Sequence, residues 1–137
     1  MSLEHEARHG AGEPRVILDE AYVDRLQGLA SAAARRSPEV AERLLHEIDR
    51  ATVLPSQKVP SNVVNIGSTV TFRDDVSGRE QTVTLVLPAD ADIDQRRVSV
   101  VTPIGAALIG LEEGAHIDWE TRDGERRQLT VLKVAQP

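Results

Sequence analysis

Cysteine is absent from this 137-residue chain. That excludes disulfides, thiolate metal sites and a thiol nucleophile together, and it fits a reducing compartment. Aromatic residues are nearly absent too, with Tyr22, Phe72 and Trp119 making up the whole set. Readers of single-stranded nucleic acid stack bases on several such rings, so that route is nearly closed. Positive charge is in short supply: sixteen Lys and Arg stand against twenty-two Asp and Glu, a formal net charge of −6. Proteins that grip nucleic acid by its phosphates need the opposite balance, so no direct sequence-specific nucleic-acid contact is expected. No apolar run approaches the ~20 residues that span a bilayer, and the N-terminus has no apolar segment of a secretion signal. A cytoplasmic protein without a membrane partner is the expectation.

What is present has a clear order. Residues 1–14 lack any period and end in Gly10-Ala11-Gly12-Glu13-Pro14, which reads as a flexible tail. His5 and His9 have the spacing of a helical metal pair, but a tail without helical support leaves them solvated. From Asp19, a plausible N-cap, Tyr22, Leu26, Leu29 and Ala33 recur at helical steps. A second helix opens at Ser37-Pro38-Glu39, with Ser37 as N-cap and Pro38 at the first position. Its apolar stripe is Val40, Leu44, Ile48 and Ala51, widened by Leu45, while Glu42, Arg43, Glu47 and Arg50 fill the solvated side. Two amphipathic helices joined by a few residues predict an antiparallel hairpin over 15–52, projecting only ~20–25 Å. Pro55 and Pro60 then mark a linker over 53–62.

Beyond the linker the period changes to two. Val70 and Phe72, Thr82–Leu87, Arg97–Thr102, Ala115–Thr121 and Gln128–Val134 read as strands, with Ser77-Gly78 and Asp123-Gly124 as turns, the second a two-residue hairpin signal. One short helix, Ile104–Ile109, interrupts them, capped by Thr102 with Pro103 at its first position. Gly105 and Gly110 suit close packing and a helix C-cap. The class is α+β: a helical hairpin, then an antiparallel sheet domain over 63–137 with one short helix.

No catalytic constellation accompanies this scaffold. Asp90, Asp92 and Asp94 open like a calcium loop, but Gln95 and Val101 stand where that loop needs Gly and Glu, leaving an acidic surface loop. His46 reads as part of a solvated helix face, and His116 lies on a strand with no nucleophile signalled beside it. No phosphate-binding glycine motif is present. No catalytic residue, metal site or cofactor is expected.

The segment Ser99-Val100-Val101-Thr102-Pro103-Ile104-Gly105-Ala106-Ala107-Leu108-Ile109-Gly110 resembles the C-terminal signature of the bacterial GreA/GreB transcript-cleavage factors, and more closely that of their Rnk branch, the regulators of nucleoside diphosphate kinase. Val63–Phe72 looks like the family's first C-terminal strand, and Gly114–Glu120 like the penultimate strand of the Rnk branch. The resemblance covers most of residues 15–137. It implies an FKBP-like fold for the sheet domain and a short coiled coil for the hairpin. An FKBP-like prolyl isomerase pocket needs aromatic walls, and Phe72 and Trp119 are expected in the core instead. The resemblance also implies bacterial RNA polymerase as partner, with Thr102, Pro103, Ile104 and Gly105 touching the rim of its secondary channel. Ser99 and Asp75, near strand ends, are further contact candidates.

Gre factors carry an acidic pair at the hairpin tip that helps hold the catalytic Mg²⁺. Here the tip carries Arg35 and Arg36, followed by Glu39, whose position at the start of a helix suits the helix dipole. By charge and reach the chain departs from the cleavage factors. The expectation is a monomeric, non-catalytic regulator that competes with Gre-type factors. Cleavage stimulation through Glu39 and Glu42, or an indirect influence on nucleoside diphosphate kinase, are the alternatives.

Overall fold

The computed structural model describes residues 13–121 and 123–137; the tail histidines His5 and His9 lie outside them. The chain runs β1 (Ile17–Asp19), α1 (Glu20–Ala33), α2 (Pro38–Arg50), β2 (Thr52–Leu54), a 3-10 turn (Ser56–Lys58), β3 (Thr69–Asp74), β4 (Glu80–Val86), two 3-10 turns (Pro88–Asp90 and Ile93–Gln95), β5 (Arg97–Ser99), α3 (Pro103–Leu108), β6 (His116–Glu120) and β7 (Arg126–Ala135). The protein is α+β, with three helices and a five-stranded sheet in the order β5-β4-β3-β7-β6.

That sheet is mixed, not wholly antiparallel as the turn signals suggest. β3 pairs antiparallel with β4 and β7, and β6 with β7, but β5 runs parallel to β4. The two 3-10 turns between them carry the chain back alongside β4, so β5 sets out in the direction of β4. β5 also stops at Ser99, because Thr102 already faces the helix it caps. The turn between β6 and β7 departs from a two-residue hairpin. The Gly124 N–H donates to the Thr121 carbonyl and the Thr121 N–H to the Glu125 carbonyl, with Gly124 at φ +82°.

A second, two-stranded ribbon was not readable from periodicity: β1 and β2 pair in parallel over three residues each. Asp19 closes β1 and caps α1, accepting the Ala21 N–H at 2.9 Å. The same buried carboxylate accepts from Ser56 Oγ at 2.6 Å and Asn65 Nδ2 at 3.0 Å, tying α1 to the segment that leads into the sheet. Ser37 stands where an N-cap is expected, but its side chain makes no capping bond.

One core joins helices and sheet. Leu26, Ala30, Val40, Leu44 and Ile48 from the helices are buried in the same cluster as Val70, Phe72, Leu85, Leu129 and Val131 from the sheet. Two readings of α2 are corrected. Leu45 is 43% exposed and adds nothing to the stripe, whereas Glu47, read as solvated, is 2% exposed. Glu47 receives Arg50 Nε at 2.7 Å and lies 2.9 Å from Arg43 Nε; Arg50 also donates to the Pro14 carbonyl at 2.7 Å. The segment that precedes β1 covers this side of α2. No helix among the described residues is long and apolar enough to cross a membrane.

Candidate docking face

The junction between β5 and α3 is built by three small residues. Ser99 Oγ accepts the Val101 N–H at 3.0 Å, and Thr102 Oγ1 donates to the Ser99 carbonyl at 2.7 Å while accepting the Gly105 N–H at 3.1 Å. The hydroxyl of Thr102 thereby satisfies one of the donors that a helix start leaves open. Gly105 is pressed against the strand end. A methyl group there would lie 2.8 Å from Val100 Cα and 2.9 Å from the Ser99 carbonyl carbon, closer than atoms can sit. Ser99 and Gly105 are consequently buried, and Thr102, Pro103 and Ile104 half-buried.

The half-buried members wall an apolar groove of about 410 Å³ with Ile93, Val98 and Trp119. A second cleft, of about 580 Å³, lies between α2 and β6. Arg36 from the helix connection and Glu39 from the first turn of α2 line it together with Glu42, Arg43, Pro103 and Trp119. Pro103, Trp119 and Thr121 belong to both depressions, so the two are neighbours. Arg43 Nη1 donates to the Asp118 carbonyl at 3.1 Å and bridges α2 to the edge strand β6. The structure thus brings the helix connection and the β5–α3 junction into one face. Arg35 is exposed but outside the cleft. Phe72 is buried, whereas Trp119 is only partly buried against the core and serves as a wall.

Asp75 lies elsewhere, on the outer side of the sheet. Its carboxylate accepts from Thr130 Oγ1 at 2.8 Å and Arg73 Nε at 3.0 Å, and lies 2.9 Å from His116 Nδ1. Burial alone would raise its pKa, but these donors and charges hold it below the ordinary carboxylate range. The trio of Thr130, His116 and Asp75 is not a nucleophile relay. Both oxygens approach the same ring nitrogen of His116, whereas a relay needs one on each side. His46 is not simply solvated, since its Nε2 is 2.8 Å from Glu13 Oε2. That hydrogen bond holds the Glu13 carboxyl below its ordinary value.

Residues 59–136 match the family "Transcription elongation factor, GreA/GreB, C-term", and residues 14–54 match "Rnk N-terminus". The chain belongs to the GreA/GreB family, in its Rnk branch. It is 34% identical over 121 residues to the "Regulator of nucleoside diphosphate kinase" of Escherichia coli (strain K12), covering 88% of this chain and 89% of that protein. It is 30% identical to the transcription elongation factor GreA of Rickettsia felis, covering 94% and 86%. Among solved structures it is similar to a prokaryotic transcription elongation factor GreA/GreB from Nitrosomonas europaea, with a TM-score of 0.69, 30% identity and coverage of 90% and 99%. The chain is thus related to transcription regulators of the elongation-factor type.

Proposed function

We propose that this protein is a non-catalytic, monomeric regulator that binds bacterial RNA polymerase at the mouth of the secondary channel and competes there with Gre-type factors. In this reading α1 and α2 correspond to the family's coiled-coil hairpin, and the sheet with α3 to its FKBP-like domain. The observation that carries the reading is the shared face: Arg36 and Glu39 line one cleft with Pro103 and Trp119. A single docking event at Pro103 and Ile104 then sets the helix connection, with Arg35 and Arg36 at its apex, into the channel mouth. Ser99, Thr102 and Gly105 shape the junction from within, and Asp75 sits on another surface, so contact falls on Pro103 and Ile104.

Cleavage stimulation through Glu39 and Glu42 has one observation in its favour, since both carboxylates line the cleft. Arg36 and Arg43 line it too, and their charge opposes the recruitment of a hard cation by those carboxylates. An influence on nucleoside diphosphate kinase, suggested by the name of the E. coli relative, would be indirect, through transcription.

The decisive experiment measures binding to core polymerase in competition with a Gre factor, then RNA cleavage on a backtracked complex. Competition without cleavage is expected. The double variant Pro103→Asp, Ile104→Asp should bind at least about tenfold more weakly, on the order of 1.4 kcal/mol. Unchanged affinity in a folded variant rejects this docking face, and cleavage moves Glu39 and Glu42 into the mechanism.

A further inference from the structure

We infer that Glu47 is a positioning residue: its buried carboxylate holds Arg43 and Arg50 in place, and the two guanidinium groups fix the angle at which α2 meets the sheet. The consequence for polymerase binding rests on the docking reading above. Arg43, Glu47 and Arg50 stand one turn apart along one side of α2, a stripe of ~10 Å at ~1.5 Å per residue. At one end Arg43 Nη1 donates to the Asp118 carbonyl on β6, at 3.1 Å; at the other Arg50 Nη1 donates to the Pro14 carbonyl ahead of β1, at 2.7 Å. Glu47, between them, accepts Arg50 Nε on Oε1 at 2.7 Å and faces Arg43 Nε with Oε2 at 2.9 Å. One fastening would leave α2 free to pivot. Two, separated along its axis, fix both its tilt and its slide.

Stability does not account for such a triad. Glu47 is almost wholly buried, so a full charge has been taken out of water to stand between two cations. The hydrogen bonding is incomplete as well. Arg50 Nη2 is buried without a hydrogen-bond partner among the described residues, and Arg43 Nε, close as it is to Glu47, makes no hydrogen bond there. Apolar side chains of similar volume in place of a buried ion triad are often neutral or stabilising. What they lack is direction. The apolar stripe of Val40, Leu44 and Ile48 draws α2 into the core without specifying an angle, because burial of apolar surface is non-directional. A guanidinium aimed at one carbonyl does specify it. The angle matters for the docking face because Arg36 lies on the helix connection, Pro103 on α3 and Trp119 on β6, and the three wall one cleft only while α2 keeps its place.

The chain has no cysteine, so a pair of spin labels can be attached without background. With Ala34→Cys on the helix connection and Gln128→Cys on β7, both at exposed positions, the full-length protein is expected to give one narrow distance distribution. The triple variant Arg43→Met, Glu47→Leu, Arg50→Met is expected to keep or raise the urea midpoint while that distribution broadens or shifts. A destabilised or unfolded triple variant overturns the inference, since the triad would then hold the fold and not its angle. A distribution as narrow as before, at the same distance, overturns it too. Function is read in Glu47→Gln, because Glu47 lines neither depression and every residue of the docking face stays intact. This variant is expected to broaden or shift the distribution and to compete with a Gre factor for core polymerase about tenfold more weakly. An altered distribution with wild-type competition leaves the positioning role standing and overturns the shared docking face. Weaker competition with an unaltered distribution overturns the positioning role.

Discussion

Gly105 shows how one position serves the site without touching a partner. Its lack of a side chain lets α3 start directly against the end of β5, and Thr102 and Ser99 close the remaining gap with hydroxyls. Gly105→Ala forces the helix start away from the strand, because the obstructing atoms belong to backbone that cannot swing aside. We expect a loss of about 1–3 kcal/mol in urea unfolding, together with weaker polymerase binding as Pro103 and Ile104 shift. Equal stability of variant and wild type in denaturation curves would contradict this packing. The close approach was legible in the sequence as a small residue beside a Thr-Pro helix start. Trp119 was not: an aromatic residue on a strand reads as core, and only the neighbouring α2 and α3 turn it into a wall shared by two depressions.

Elements with a strong period were legible, and those held by distant partners were not. The helices announce themselves through Leu26, Ala33, Leu44 and Ile48, and β3 and β7 through alternation. β1 and β2 have three residues each, too few for any period, and are made by pairing with one another across the helices, with the Ile17 N–H donating to the Gly110 carbonyl. The burial of Glu47 was equally hidden, since it depends on the chain around Pro14 crossing α2. Asp19 sits at the centre of this non-local stitching, and its chemistry gives a pH test. Burial opposes its ionisation, but bonds from Ser56, Asn65 and the Ala21 N–H prevail and hold its pKa below the ordinary value. A depressed native pKa means stability that is complete above the unfolded-state value of about 3.9 and is lost as pH falls through the native value. Asp19→Asn should therefore cost about 1–2 kcal/mol at neutral pH. That deficit should shrink progressively as acid protonates wild-type Asp19; a deficit constant with pH, measured by urea midpoints, would contradict it.

Because the helices and the sheet share one buried cluster, the molecule should unfold as a unit. Trp119 on β6 is the sole tryptophan, so its fluorescence reports the sheet while circular dichroism at 222 nm reports chiefly the helices. Coincident thermal transitions are expected; a helical transition preceding the fluorescence change would mean that the helix pair melts alone. The parallel ribbon of β1 and β2 has a last consequence. It brings the two ends of the helical segment side by side, with Ile17 paired to Thr52 and Asp19 to Leu54. The segment is in effect a closed loop whose two ends, its neck, leave the rest of the molecule side by side. Adding two turns to each helix, seven residues apiece, would carry Arg35 and Arg36 outward by about 10 Å without asking the neck to move. The ribbon makes reach an adjustable dimension of this scaffold, set by the lengths of α1 and α2.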